Sequence, residues 1–563
     1  MTTLLDVDIP RTLDEIVRNL AKRGTSLEAW VFEDELARRG AEAALVEAGV
    51  RARIRSAYKP LLHFFLEEVE LSGLTAVTVR TPSHALAAEG RFRIEAYPLA
   101  GLLRGVSLRF EKGSEELHYV VTTDHGARRT EHRVFAPNRE RRNVLGERSL
   151  SPCGWLQGKA LVTDYETAFD KIMQAVAAHA WPKTQPLFEV LDISVRTSGI
   201  EQRLAYADEI MSTREALHED LYFSLLEYFK AANGLGAEDR TLKVGQIVPD
   251  IRSGKGPTRV RIALRPADRE TWTDESQPLE SAGRPLAPAQ ILREVEALGG
   301  TRFDVVSGQG RPVLATLIAG SGPGMLVSGG QHANETSGVV GALRAAKVLK
   351  EKGRGFALIP QENPDGYAMH GKLRRQNPRH MLHAARFTGL GDDLEFRDHE
   401  PFGERAARLD AFRRTNAILH VNLHGYPAHE FTRPHSGYVP PRSASWMIPR
   451  GFFLIMRHHP GLQAKAESFM RKLAERVSRV PGLKEFNEAH LAAFAAHLGE
   501  RPEPIHHSIS CVIGETDRFV PPFTLVAEYP DETIYEDAFR FAHTVQKATV
   551  LEAADLLAAG ELS

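Results

Sequence analysis

The sequence predicts an α/β chain of more than one domain, in which an α+β N-terminal region is followed by a domain of alternating helices and strands. Two observations carry this. The 563 residues exceed what one hydrophobic core ordinarily serves. From about residue 285 onward, segments with apolar residues at three and four spacing alternate with short apolar runs, as in α/β domains. Composition is that of a globular protein, 42% hydrophobic and 26% charged, with no internal repeat. The 71 basic and 73 acidic residues nearly cancel, so charge offers no reason to expect nucleic acid or an anionic membrane surface as partner.

Taken in order, residues 1–70 read as helical, with apolar three-four spacing in "LDEIVRNLAKRG" and "EDELARRGAEAALVEAGVRARI". Acids come early in "MTTLLDVDIPRTLDEIVRNL", a poor match to a signal peptide. No run reaches the roughly 18 apolar residues of a spanning helix. Cys153 and Cys511 lie far apart and are expected as buried thiols, not a disulfide framework. A cytoplasmic location is the default expectation.

Alternation from "LTAVTVRT" through "FRIEAYPLAGLLRGVSLRFEK" to "LHYVVTTD" predicts several strands. The basic run "GARRTEHRVFAPNRERRNVLGERS" reads as an exposed loop. These segments make up an α+β domain over 1–160. A second region over 161–284 is helical at first, most clearly in "DEIMSTREALHEDLYFSLLEYFKAA", then strand-like, and ends in a Pro- and Ser-rich linker. That helix carries His218 and Glu219 and is expected to be an ordinary half-buried one. The third domain spans 285–563.

Chemistry is concentrated there. In "MLVSGGQHANETSG" a short buried strand ends in Gly329 and Gly330, and His332 and Glu335 follow three residues apart at a helix start, aimed the same way. An imidazole and a carboxylate converging on one point suit zinc, which in catalytic sites takes three protein ligands and keeps one open position. Downstream, the strand Ile418 to Leu423 delivers His424 at its carboxyl end, where open α/β sheets build sites. His420, on the same strand face, competes for that role but is read as a packed or supporting histidine. Between these ligands "FALIP" runs into an Asn363-Pro364-Asp365-Gly366 turn and a basic segment whose arginines suit a carbonyl or carboxylate. Late in the chain, the strand Phe523 to Ala527 delivers Glu528, a carboxylate suited to taking a proton from metal-bound water.

In "GGQHANE", "ENPDGY", "NLHGYPAHEFTRPHSGY" and "LVAEYPDE", in that order, the sequence resembles the zinc carboxypeptidase family over about residues 285–560. The resemblance implies a mixed, mostly parallel sheet of about eight strands between helices. It implies one zinc per chain on His332, Glu335 and His424, with Glu528 as general base and acid. It also implies a carbonyl-polarising arginine after the Asn-Pro-Asp-Gly turn: Arg374 or Arg375, with Arg375 favoured. The family's Asn-Arg pair for a terminal carboxylate is missing. Asn377, Arg379 and Arg386 stand in the region, and Arg386 is the better anion clamp. The family tyrosine before the catalytic Glu is missing too; His506 and His507 occupy that stretch.

Tyr426, His429 and Tyr438 are candidates to line a pocket, and His458 and His459 are expected at the surface. The resulting expectation is a zinc metallocarboxypeptidase acting on a peptide. An N-acyl amino acid amidohydrolase of the aspartoacylase and succinylglutamate desuccinylase type is the alternative. A non-catalytic zinc-binding module is disfavoured by the complete ligand set. The N-terminal half is expected to cover the cleft, restrict substrates to small ones or mediate oligomerisation.

Overall fold

The computed structural model describes residues 1–20, 23–439 and 444–563. The expected helix reaching into "LAKRG" is therefore followed only to Leu20, its last residues lying outside the described ones.

The C-terminal half is built on one nine-stranded mixed sheet. Its order is Thr301–Arg302, Thr316–Ile318, Phe356–Ile359, Met325–Gly329, Leu419–Pro427, Phe523–Glu532, Phe453–His458, Ile509–Glu515 and Ile505–His506. The run from Phe356–Ile359 to Phe523–Glu532 is parallel, but Phe453–His458 joins antiparallel and both edges are antiparallel. "Mostly parallel" thus describes the centre only. The parallel central strands are joined by crossover helices, as parallel pairing requires, and the edge pair Ile505–His506 and Ile509–Glu515 is a short hairpin.

Period-two alternation divides the sheet's faces. Val421, Leu423, Leu525 and Ala527 point into a core closed by the helices Ser337–Glu351, Gln463–Val477 and Glu536–Ala558. His420, Asn422 and His424, with Thr524, Val526 and Glu528, alternate with those core residues and share the opposite face. There the helix Arg405–Thr415 covers one side, around Leu326 and Ala357, and a cavity occupies the rest.

The N-terminal half departs from expectation in several places. Residues 1–70 alternate strand and helix: Thr2–Ile9, Ser26–Val31 and Arg51–Ser56 are strands between the helices Thr12–Leu20, Glu35–Glu47 and Pro60–Glu67. The basic run expected as a loop contains the strands Arg129–Phe135, Asn138–Arg142 and Arg148–Pro152, whose outward positions carry the charge. The stretch "FRIEAYPLAGLL" is two short helices, Arg91–Glu95 and Leu99–Leu102, not strand. The boundary set at residue 160 also cuts a sheet, because Thr2–Ile9 pairs antiparallel with Thr258–Arg265 and through it joins Val190–Thr197 and Gln246–Ser253.

The helix Thr213–Ala232, expected to be half-buried, is buried nearly all round. Several of its polar groups are partnered by the C-terminal half. Asp220 accepts from the backbone N–H groups of His435 (2.7 Å) and Ser436 (3.0 Å), and His218 Nε2 accepts from Ala384 N at 3.3 Å. Glu219 bonds His383. An apolar core joins Leu217, Leu221 and Leu225 to Met381, Leu382 and Phe431 across the two halves. Both cysteines are buried and free, and among the described residues no helix is long and apolar enough to cross a membrane.

Candidate active site

Gly330 takes a positive φ of 62°, the turn that throws the chain out of the strand Met325–Gly329. His332 and Glu335 follow in that turn, and the helix begins two residues after Glu335, at Ser337. The parallel register sets His424 directly beside Glu528 on neighbouring strands. Gly425 is required next to His424, since a Cβ there would meet Asp531 Oδ1 at 1.9 Å. Its N–H donates to Glu335 Oε2 at 3.0 Å.

His332, Glu335 and His424 come together, one ligand atom from each lying within 4.8 Å of the others, all buried. Both imidazoles turn Nδ1 toward the carboxylate, at 2.7 Å for His332 and 3.0 Å for His424. Two nitrogens and one oxygen converging beside an open cavity are the donor set of a three-ligand zinc site, so these residues fit the ion. His420 lies outside the cluster, its Nε2 2.8 Å from Ser328 Oγ.

Burial alone would raise the pKa of Glu335, but His332, Arg386 and His424 overcome it and hold the carboxylate ionised. Glu528 responds the other way: burial, then the charge of Glu335, push its pKa up to about 8. Its Oε2 is buried without a hydrogen-bond partner, and the residue lines the cavity. A carboxyl poised between charged and neutral beside the ligand cluster suits general acid–base work.

The arginines are a correction. Arg375 is exposed and points away from the cavity, with Nη2 only 3.5 Å from Thr273 O. Arg374 stacks on Trp272 (4.4 Å) and faces Asp274 at 3.4 Å. Both follow the helix Pro364–Leu373 away from the site, so closeness in sequence to the Asn-Pro-Asp-Gly turn did not become closeness in space. Asn377 is also remote, donating to Ile251 O at 2.8 Å, and Arg379 lies 3.9 Å from Asp208. Arg386 is the arginine at the cluster: Nη1 is 2.8 Å from Glu335 Oε1 and 3.7 Å from Glu532 Oε1. Its guanidinium is engaged with these carboxylates, so the free anion clamp expected of Arg386 is not its geometry.

Tyr426 lines the cavity, with its hydroxyl donating to Gly451 O at 2.5 Å. His429 and Tyr438 do not line it; they bond Glu215 and Glu430. His458, expected at the surface, is buried at 2% exposure on a strand of the main sheet.

Sequence reading missed Asp393. Its Oδ2 is 3.8 Å from His332 Nε2, a charge contact beyond hydrogen-bond length on the side of the ring away from Glu335. The acidic "GDDLEF" between the ligands was the available signal. The individual residues by which the N-terminal half, expected to cover the cleft, reaches the site were also not singled out from the sequence. The cavity, about 620 Å³, is walled partly by Phe223, Leu226 and Arg240 of the first half.

No family model matches the chain, and no curated protein matches it. Among solved structures it is similar to a metallo-carboxypeptidase from Pseudomonas aeruginosa in complex with (2-guanidinoethylmercapto)succinic acid, at 17% identity, 56% of this chain, 78% of that one and a TM-score of 0.31. A metallo-carboxypeptidase from Burkholderia cenocepacia matches at 14% identity, 55% and 77% coverage, TM-score 0.30. Bovine thrombin-activatable fibrinolysis inhibitor, in complex with tick carboxypeptidase inhibitor, matches at 11% identity, 50% and 99% coverage, TM-score 0.32. Overlaps this low bear no functional weight; the side chains of the site do.

Proposed function

We propose that this chain is a zinc-dependent hydrolase of amide bonds, acting as a carboxypeptidase on short peptides. The observation that supports it is the convergence of His332, Glu335 and His424 with Glu528 in register beside His424. Zinc held by the three ligands would supply Lewis acidity and a bound water of lowered pKa. The chain's own groups do the rest. Glu528 takes a proton through its unpartnered oxygen and returns it to the leaving amine. Arg386 offers its guanidinium to the carbonyl oxygen as charge develops there. The Gly425 N–H holds Glu335 in orientation, and the Asp393 charge faces His332. A 620 Å³ cavity suits a peptide end better than a folded chain.

The test combines metal analysis with turnover. Glu528→Gln should keep the wild-type zinc content and lose about 10²- to 10⁴-fold in kcat. His424→Ala should lose the metal. Near-normal turnover in Glu528→Gln, or full zinc content in His424→Ala, would reject the assignment.

A further inference from the structure

Arg457 is a cation of the cavity wall that the site does not use; the wall's Lys230 is engaged with Ala237 O at 2.9 Å. It sits on the strand Phe453–His458, in antiparallel register with Thr524, while Phe453 pairs with Glu528 and Ile455 with Val526. Opposed residues of an antiparallel pair share a face, so Arg457 and Glu528 open on the same side of the sheet. Both line the same cavity, with Ile455 and Val526 as an apolar floor between them. The four residues from Glu528 to Thr524 span about 13 Å of strand.

The guanidinium is half-buried, and among the described residues it has neither an ion pair nor a hydrogen bond. The other cavity arginines are committed: Arg386 to Glu335, Arg240 to Asp393 and Arg433 to Glu227. A Cβ on Gly514, the residue paired with Arg457 on the next strand, would fall 2.2 Å from Arg457 Nη1. The glycine therefore leaves the space in which the guanidinium lies. The neighbouring charge is of like sign: burial, then Arg518, lowers the pKa of Arg457, and Arg518 is itself engaged with Glu395 at 3.3 Å. A permanently charged, partly desolvated fork left without an acid is matched when a ligand brings the anion.

We propose that Arg457 receives a side-chain carboxylate of the substrate, so that the preferred leaving residue is acidic, glutamate or aspartate. This rests on the amide-hydrolase reading. The direction favours a side chain over the α-carboxylate: the leaving residue's backbone must lie near Glu528, and a glutamate side chain running over Ile455 and Val526 covers part of the about 13 Å, the long Arg457 side chain swung off Gly514 covering the rest.

The experiment compares peptides identical except for Glu or Gln in the leaving residue, each with a free and an amidated terminus, on zinc-loaded wild type, Arg457→Met and Arg457→Lys. Wild type should prefer Glu over Gln by roughly tenfold to a hundredfold in kcat/KM, the contribution of one charged hydrogen-bonded contact. The difference should lie in KM. Arg457→Met should erase that preference and leave Gln-peptide turnover intact, and Arg457→Lys should keep part of it. Titration calorimetry with the released amino acids, glutamate and glutamine, reads the same contact without turnover. If wild type cleaves none of the peptides, the hydrolase reading fails, and product binding alone decides whether Arg457 is an anion site. Equal handling of Glu and Gln by wild type, a preference that survives in Arg457→Met, or one that follows amidation of the terminus would overturn the assignment.

Discussion

His429 offers a quantitative test of how the two halves are joined. It follows the third candidate ligand by five residues, is fully buried, and places Nε2 2.9 and 2.8 Å from the two oxygens of Glu215 on the helix Thr213–Ala232. Burial alone would lower its pKa, but the Glu215 carboxylate overrides that and carries it from 6.5 to about 9. A folded pKa above the unfolded one means that the protonated pair stabilises the native state. That stabilisation is fully present below pH 6.5 and is lost as pH rises through 9. The displacement corresponds to about 3 kcal/mol. In His429→Gln the charge is gone at every pH, while the hydrogen-bonding capacity partly remains. The wild type should therefore be more stable than the variant at pH 6, and the gap should shrink by about 3 kcal/mol on going to pH 10. For a chain of this length that is a change of about 3 °C in the melting-temperature difference. Acids remote from the pair, such as Glu33 with a pKa raised to about 8, act in both proteins and cancel in the difference; Glu209, which burial raises to about 7 against the His429 charge, does not, and is ionised throughout the pH 8 to 10 range over which most of the gap is lost. The assay is a melting curve of each protein in matched buffers between pH 6 and 10. Parallel curves, with a constant gap, would refute the charged-pair account.

Two further expectations concern named contacts. Arg386→Ala should cost about 10²- to 10³-fold in kcat with little change in KM, as expected of a group that meets charge formed in the transition state. Arg375→Ala should stay within about twofold of wild type in steady-state kinetics; a larger loss from Arg375→Ala would restore the sequence-based assignment. Lys59→Met should destabilise by about 3–5 kcal/mol in urea unfolding at pH 8, because it strands Glu430 where both partners are only 3% exposed. The loss should be smaller at pH 6, since burial already raises the Glu430 pKa to about 7 and the carboxyl can take up a proton.

The ligand-bearing strands were legible because they are short apolar runs punctuated by glycine, and the order His332, Glu335, His424, Glu528 follows the order of those runs. What failed had a common cause. In "RTEHRVF" and "RARIRS" the outward positions carry charge, so strands with one wet face looked like loop or helix; their alternation was present, but charge density outweighed it. Arg375 was misassigned because chain proximity stood in for spatial proximity, and the intervening helix turns it outward. The helix Thr213–Ala232 was misread because a charged residue in a helix is ordinarily solvated. Here its acids meet backbone N–H groups more than 160 residues away, which no local pattern encodes.

Those long-range bonds bear on why the N-terminal half is attached to the site at all. The turn His383–Ala385 ends at Arg386, and Glu215, His218 and Glu219 hold it at Met381 N, Ala384 N and the His383 ring. The loop after His424 is held by the same helix through Glu215, Asp220, Ser224 and Glu227, at His429, His435, Ser436 and Arg433. Both segments leave strand or helix for irregular backbone, where buried N–H groups need partners they cannot find locally. One largely buried helix supplies them, and in doing so fixes the position of the arginine that faces Glu335. The first half therefore acts on the candidate site in two ways: it walls the cavity directly, and through this helix it sets the geometry of the loops beside the His332, Glu335 and His424 cluster.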